Sequence, residues 1–240
     1  MPAFARPSHL PDLPSGVWHA HALEGSPAQV LACGHAALDA ELPGGGWPVG
    51  ALTEILQPAG VHSEWRLLLP ALARSGQGAV VLVGAPQVPF APALAAQGLA
   101  LQRLLSVQAQ APAQRLWAAE QALRCADVDA VLLWLPQPVR TDALRRLHLA
   151  AAGHSKLLFV MRPAQTQHEA SPAVLRLLLE LHPTDDRLQI DLPKRRGPLL
   201  AQAVQLQARS SAITLLLAAC AVPSGGEEGG NALDRMALRA

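Results

Sequence analysis

Apolar runs alternate with segments of helical periodicity through most of the chain. Residues 51–56, 78–83, 130–135 and 156–161 are short and almost wholly apolar, as strands are when a parallel sheet buries both their faces. The spacers 63–75, 91–101, 112–126, 142–152 and 173–181 carry apolar positions at helical spacing, with Thr141 and the pair Ser171 and Pro172 at N-cap and first-turn positions. The repeated order of strand and helix predicts an α/β fold built on a mostly parallel sheet flanked by helices. The last third changes period. Residues 187–192 and 203–208 alternate apolar and polar, which predicts a C-terminal antiparallel hairpin with one solvated face.

The ends read differently. Residues 1–28 contain Pro2, Pro7, Pro11, Pro14 and Pro27 and read as a Pro-rich N-terminal arm, because proline removes donors and breaks regular elements. Residues 223–240 open with a Gly-rich tether and close on a short apolar pattern at Leu233, Met236 and Leu238, a flexible tail by composition. One domain is therefore expected over residues 29–222.

Composition narrows the class. Half of the 240 residues are hydrophobic and 15% are charged, so the chain has the apolar content for a packed core and lacks the signature of a disordered one. A net charge of +1 supplies no global field toward nucleic acid or membrane, so any such contact depends on a local patch. Cys33, Cys125 and Cys220 lie far apart without ligand spacing, as buried thiols in a reducing cytosol do. The longest apolar run, 213–222, is far short of the roughly 20 residues a spanning helix needs. A cytoplasmic protein without membrane contact is the expectation.

One segment points to chemistry by what it lacks. From Leu42 through Gly44, Gly45 and Gly46 to Glu54 and Ile55, a glycine-rich turn enters a strand. A loop and a helix follow, in the place of a P-loop of the form GxxxxGK followed by Ser or Thr. Gln57 stands at the first glycine, His62 at the second, Ser63 at the lysine and Glu64 at the magnesium-binding hydroxyl, with Gly60 inside the loop. A P-loop works because small residues let backbone N–H groups close on phosphates while Lys and a hydroxyl-bound Mg²⁺ neutralise charge. Each requirement fails here. The positions of the catalytic glutamate and the metal-orienting aspartate fall near Pro86 and at Trp134, so neither a water activator nor a magnesium anchor remains. No catalytic residue, cofactor or metal is expected, and an ATPase revived by Arg66 would lack any Mg²⁺ ligand.

Residues 37–55, the order of elements after them and the late segment 192–198 make the stretch from about 31 to 208 resemble the ImuA family, which is RecA-like and related to the cell-division inhibitor SulA. The resemblance implies a RecA-like P-loop NTPase core with a degenerate nucleotide site. It also implies a non-catalytic accessory role in SOS-induced translesion synthesis, as an adaptor for an ImuB-type pseudo-polymerase, an error-prone polymerase or RecA. A SulA-like inhibitor of cell division is the alternative, and an active RecA-like ATPase ranks below both.

Lesser candidates complete the reading. Lys194, Arg195 and Arg196, between Pro193 and Gly197, are expected at the hairpin tip as a contact for a partner or, weakly, for DNA. His62, Ser63 and Glu64 are too close in sequence for a catalytic triad. His148, His154, His168 and His182 are scattered on helices and loops without ligand spacing. Trp65, Trp117 and Trp134 fall inside predicted elements and are expected in the core, whereas Trp18 and Trp47 fall outside them, as exposed anchors would.

Overall fold

A computed structural model describes residues 29–182, 187–198, 200 and 202–207; the arm, the tail, Trp18, Cys220 and the apolar run 213–222 lie outside the described residues. A small antiparallel pair, β1 (Val30–Leu31) with β2 (Trp47–Pro48), flanks the one-turn helix α1 (Ala36–Asp39). The glycine triplet between α1 and β2 is demanded by this pairing. Gly44 and Gly45 take positive φ, and a Cβ on Gly46 would stand 2.4 Å from the Leu31 carbonyl oxygen.

Among the described residues the main sheet has eight strands. In chain order they are β3 (Ala51–Gln57), β4 (Ala79–Val83), β5 (Leu104–Val107), β6 (Val128–Trp134), β7 (Leu157–Pro163), β8 (Leu175–His182), β9 (Arg187–Lys194) and β10 (Val204–Gln207). Their spatial order is β10-β9-β8-β3-β7-β6-β4-β5. The strands from β8 to β5 run parallel, and β9 and β10 are antiparallel to their neighbours. Every residue of β3 is buried, because β7 and β8 pair with both its edges and helices cover both faces. Helices α2 (Glu64–Leu72) and α3 (Ala91–Ala96) pack Leu67, Leu68, Leu72 and Leu94 with Ile55, Val80 and Leu82 on one face. Helices α4 (Pro112–Arg124) and α5 (Thr141–His154) pack Ala119, Leu123, Leu144 and Leu147 with Leu52, Val81 and Val83 on the other. Successive strand residues thus feed opposite cores, the expected period of two. No helix among the described residues is long and apolar enough to cross a membrane.

Three expectations fail here for identifiable reasons. Residues 173–181, predicted helical, contain most of strand β8 instead. A leucine-rich run satisfies helical and strand periods alike, and the slot beside β3, filled in register by Leu175 through Leu178, decides between them. Ser171 therefore caps no helix; its Oγ accepts the Ala173 N–H at 3.1 Å as the chain enters the strand. Helix α3 stops at Ala96, since Gly98 turns the chain with φ of +92°, which frees the next segment to form edge strand β5. Trp47 and Trp117 exchange their expected places. Trp47 is fully buried, edge-on to Phe159 at 5.4 Å, because β1 and β2 clamp it over the sheet. Trp117, on α4, is 65% exposed. Trp134 is buried as expected, while Cys125 is exposed and only Cys33 is a buried thiol among the described cysteines.

His148 is a tie between layers, with its Nδ1 accepting the Leu52 N–H at 3.1 Å. That bond needs a neutral ring, and burial, followed by the charge of Lys194, pushes the His148 pKa below 6.5. Burial also lowers His35, against the pull of the Arg66 and Leu67 carbonyls. Both rings have depressed folded pKa values, so the unfolded chain takes up their protons first and stability falls as pH drops below about 6.5. Melting temperatures at pH 7.5 and pH 5.5 should show this loss, and His148→Gln should reduce the difference.

Candidate functional site

The loop that follows β3 and the first turn of α2 make the site. Gln57 ends β3, residues 58–63 turn, and Glu64 opens the helix. Gln57, Ser63 and Glu64 are all buried, the last to 1% exposure. Gln57 Nε2 donates to Glu64 Oε2 at 2.9 Å, and Ser63 N–H donates to Gln57 Oε1 at 3.3 Å. From the end of β6, the indole Nε1 of Trp134 donates to Glu64 Oε1 at 3.1 Å. The partly exposed His62 brings Nδ1 to 3.8 Å from the same oxygen. A buried carboxylate is tolerable only when hydrogen-bonded, and these donors supply that. The helix terminus that favours an anion thus already holds one, covalently attached. Gly60, at φ of +78°, shapes the outer turn with open space around its α-carbon.

A cavity of about 240 Å³ adjoins this cluster, lined in part by Gly60, His62, Gly84, Pro86, Arg115 and Trp134. Its two guanidinium groups are committed. Arg115 donates to the Trp134 carbonyl and the Ala109 carbonyl, both at 2.8 Å. Arg162 donates to Glu54 at 3.0 Å and to Glu169 at 2.7 Å. Phosphate entering here would find no uncommitted guanidinium among these lining residues to offset its charge. Among the described residues, no group of three His, Cys, Asp or Glu side chains is placed to hold a metal ion.

Beneath the cavity lies an ion cluster that the sequence reading missed. Glu54 on β3, fully buried, sits between Arg162 of β7 and Arg176 of β8. Arg176 Nε stands 2.6 Å from Glu54 Oε2, a close charge contact whose N–H direction is poor for a hydrogen bond. Its other nitrogens reach the Thr166, Gln167 and Glu169 carbonyls. The cluster joins three parallel strands to the 3-10 turn Ala164–His168. The signal was there: charges set within apolar strand runs are costly unless paired.

Of Lys194, Arg195 and Arg196, the outer two are exposed and Arg195 turns inward. Lys194 ends β9 and donates to the Ser171 carbonyl at 2.9 Å. The Arg195 side chain, only 10% exposed, reaches the Glu41 carbonyl at 2.6 Å, the Glu41 carboxylate at 3.0 Å and the Pro198 carbonyl at 2.7 Å. It ties the segment after β9 to the end of α1. Arg196 alone of the three is exposed with no hydrogen bond or ion pair among the described residues. Arg195→Ala should therefore cost about 1–2 kcal/mol and Arg196→Ala less than about 0.5 kcal/mol, a contrast readable in urea unfolding. Of the histidines without ligand spacing, His154 ends α5, His168 ends the 3-10 turn and His182 ends β8, on a strand and not a helix.

Comparison with known proteins bears on this site directly. The family model described as cell division inhibitor SulA matches residues 50–157, a span that runs from β3 to the start of β7 and contains Gln57, Glu64 and Trp134 but not residues 194–196. Two curated relatives, both named Protein ImuA, come from Caulobacter vibrioides strains NA1000 / CB15N and ATCC 19089 / CIP 103742 / CB 15. Each is 35% identical over 133 residues, covering 52% of this chain and 54% of the relative. The chain thus spans about half the length of the curated relatives it matches.

Proposed function

We infer that this chain, a member of the ImuA family related to SulA, is a non-catalytic accessory protein of damage-induced translesion synthesis. It would act through protein contacts on a RecA-like core whose nucleotide site is closed. The observation that carries the reading is the Glu64 carboxylate held by Gln57 and Trp134 where a P-loop would hold phosphate. The arrangement keeps the strand, turn and helix of a nucleotide-binding element while filling its anion position from within. Supporting it, the placing of β7 and β8 beside β3, with β6 next to β7, sets the loops after β3 and β6 at the carboxyl ends of a parallel sheet, where α/β folds bind ligands. Partners of the ImuB type, an error-prone polymerase or RecA follow from the family resemblance, with DNA contact weak.

Deleting the gene from its host should abolish damage-induced mutagenesis, and a Glu64→Gln chain, which keeps the plug's shape, should restore it. Calorimetry with ATP and Mg²⁺ should show no binding; micromolar affinity would overturn the pseudo-ATPase reading. The SulA match over residues 50–157 favours one second reading, inhibition of division by a tubulin-like partner. Overexpression separates the two: filamentous cells with unchanged mutagenesis would support the inhibitor.

A further inference from the structure

The outward face of α4 and α5 carries apolar side chains that the chain's own core cannot use. Trp117 is 65% exposed and Leu149 61%. On α4 the buried stripe runs through Ala119 and Leu123; Trp117, two residues from Ala119, lies about 200° around the helix and points away from the sheet. Leu149 sits between Leu147 and Ala151, both buried, and points outward for the same reason. Glu120 and Arg146 bridge the two helices at 3.4 Å. Trp117 is one turn before Glu120 and Leu149 one turn after Arg146, so the two apolar groups flank that bridge on one face. A large exposed tryptophan and an exposed leucine on one face are the composition of interface anchors, not of an ordinary solvated face.

The charge around them has a sign. The side chains of Arg124, Arg140 and Arg146 are 57%, 89% and 66% exposed. Arg145 is also exposed and makes no ion pair among the described residues. Among the described residues the carboxylates that pair with them are Glu120, itself 16% exposed and shared by Arg124 and Arg146, and Asp142. Four cations against two carboxylates leave a local excess in a chain whose whole net charge is +1. The surface is a convex helix pair with a single aromatic, whereas single-stranded nucleic acid is bound in a basic groove with serial stacking platforms.

We propose that the α4–α5 face docks an acidic protein segment that places bulky apolar residues against Trp117 and Leu149. The site is independent of the Glu64 cluster; it rests on the accessory-protein reading only in taking the partner to be a protein. The test is selection of a displayed random-peptide library on the full chain, with a Trp117→Ala chain as counter-target. Enriched peptides should combine Asp or Glu with Leu, Phe or Trp, and their affinity, read by fluorescence anisotropy, should fall as salt rises. Trp117→Ala and Arg145→Glu should each weaken binding about tenfold without lowering the melting temperature, while Arg196→Ala should leave it unchanged. Peptides that bind the Trp117→Ala and Arg145→Glu chains as well as the parent would overturn the proposal, as would failure to enrich any peptide over the counter-target. So would a labelled oligo-dT strand that binds tightly and loses affinity with Arg145→Glu, which would assign the face to nucleic acid. The accessory role is tested separately by mutagenesis in the deletion host, so either idea can fail alone.

Discussion

Glu54→Ala is expected to destabilise the protein by about 3–5 kcal/mol, the usual cost of leaving a buried charge without its partner. Glu54 is fully buried between Arg162 and Arg176. Removing it leaves Arg162 with Glu169 alone, whose side chain is 46% exposed, and Arg176 with backbone carbonyls only. Both cations are held on strands and cannot reach water without breaking β7 or β8 away from β3. At roughly 2–4 °C per kcal/mol for a domain of this size, the melting temperature should fall by about 10 °C. Glu54→Gln should lose less, since the amide oxygen still accepts from Arg162. A loss below about 1 kcal/mol for the alanine variant, measured by urea unfolding, would mean that water reaches the cluster.

The second large effect lies at Glu64. Glu64→Ala removes the acceptor for Gln57 Nε2 and for Trp134 Nε1. Each buried donor left unpaired costs about 1–3 kcal/mol, so a total of about 2–6 kcal/mol is expected, with altered tryptophan fluorescence from the loosened indole. The same variant should bind no ATP, because removing the plug supplies neither lysine nor magnesium ligand. The paired change His62→Gly with Ser63→Lys should fail as well. It leaves the Glu64 carboxylate in the anion position, with Pro86 and Trp134 at the acid positions. Recovery of nucleotide binding in either variant would show that the site is dormant and not rebuilt.

The basic segment illustrates how far spacing carries. Three adjacent cations between a proline and a glycine read as a hairpin tip presented to a partner, yet Arg195 is drawn inward by the Glu41 carboxylate and carbonyl, 154 residues away. No local pattern encodes that contact. The clustering of Glu54, Arg162 and Arg176 is of the same kind: each looks like an isolated charge until β3, β7 and β8 become neighbours.

What the chain determined by itself is the alternation of buried strands and amphipathic helices, the C-terminal hairpin of β9 and β10, and, at Gln57, His62, Ser63 and Glu64, side-chain types that do not make a GxxxxGK sequence. Those properties depend on side-chain type and on periods of two and 3.6 residues, which are local. Tertiary structure decided the rest. It made β8 a strand because a central slot beside β3 outweighs helical propensity in a leucine-rich run. It buried Trp47 and exposed Trp117, because which face of an element meets the core depends on what covers it. It surrounded the Glu64 carboxylate with donors, because Gln57 and Trp134 come from two strands that only the folded sheet brings together.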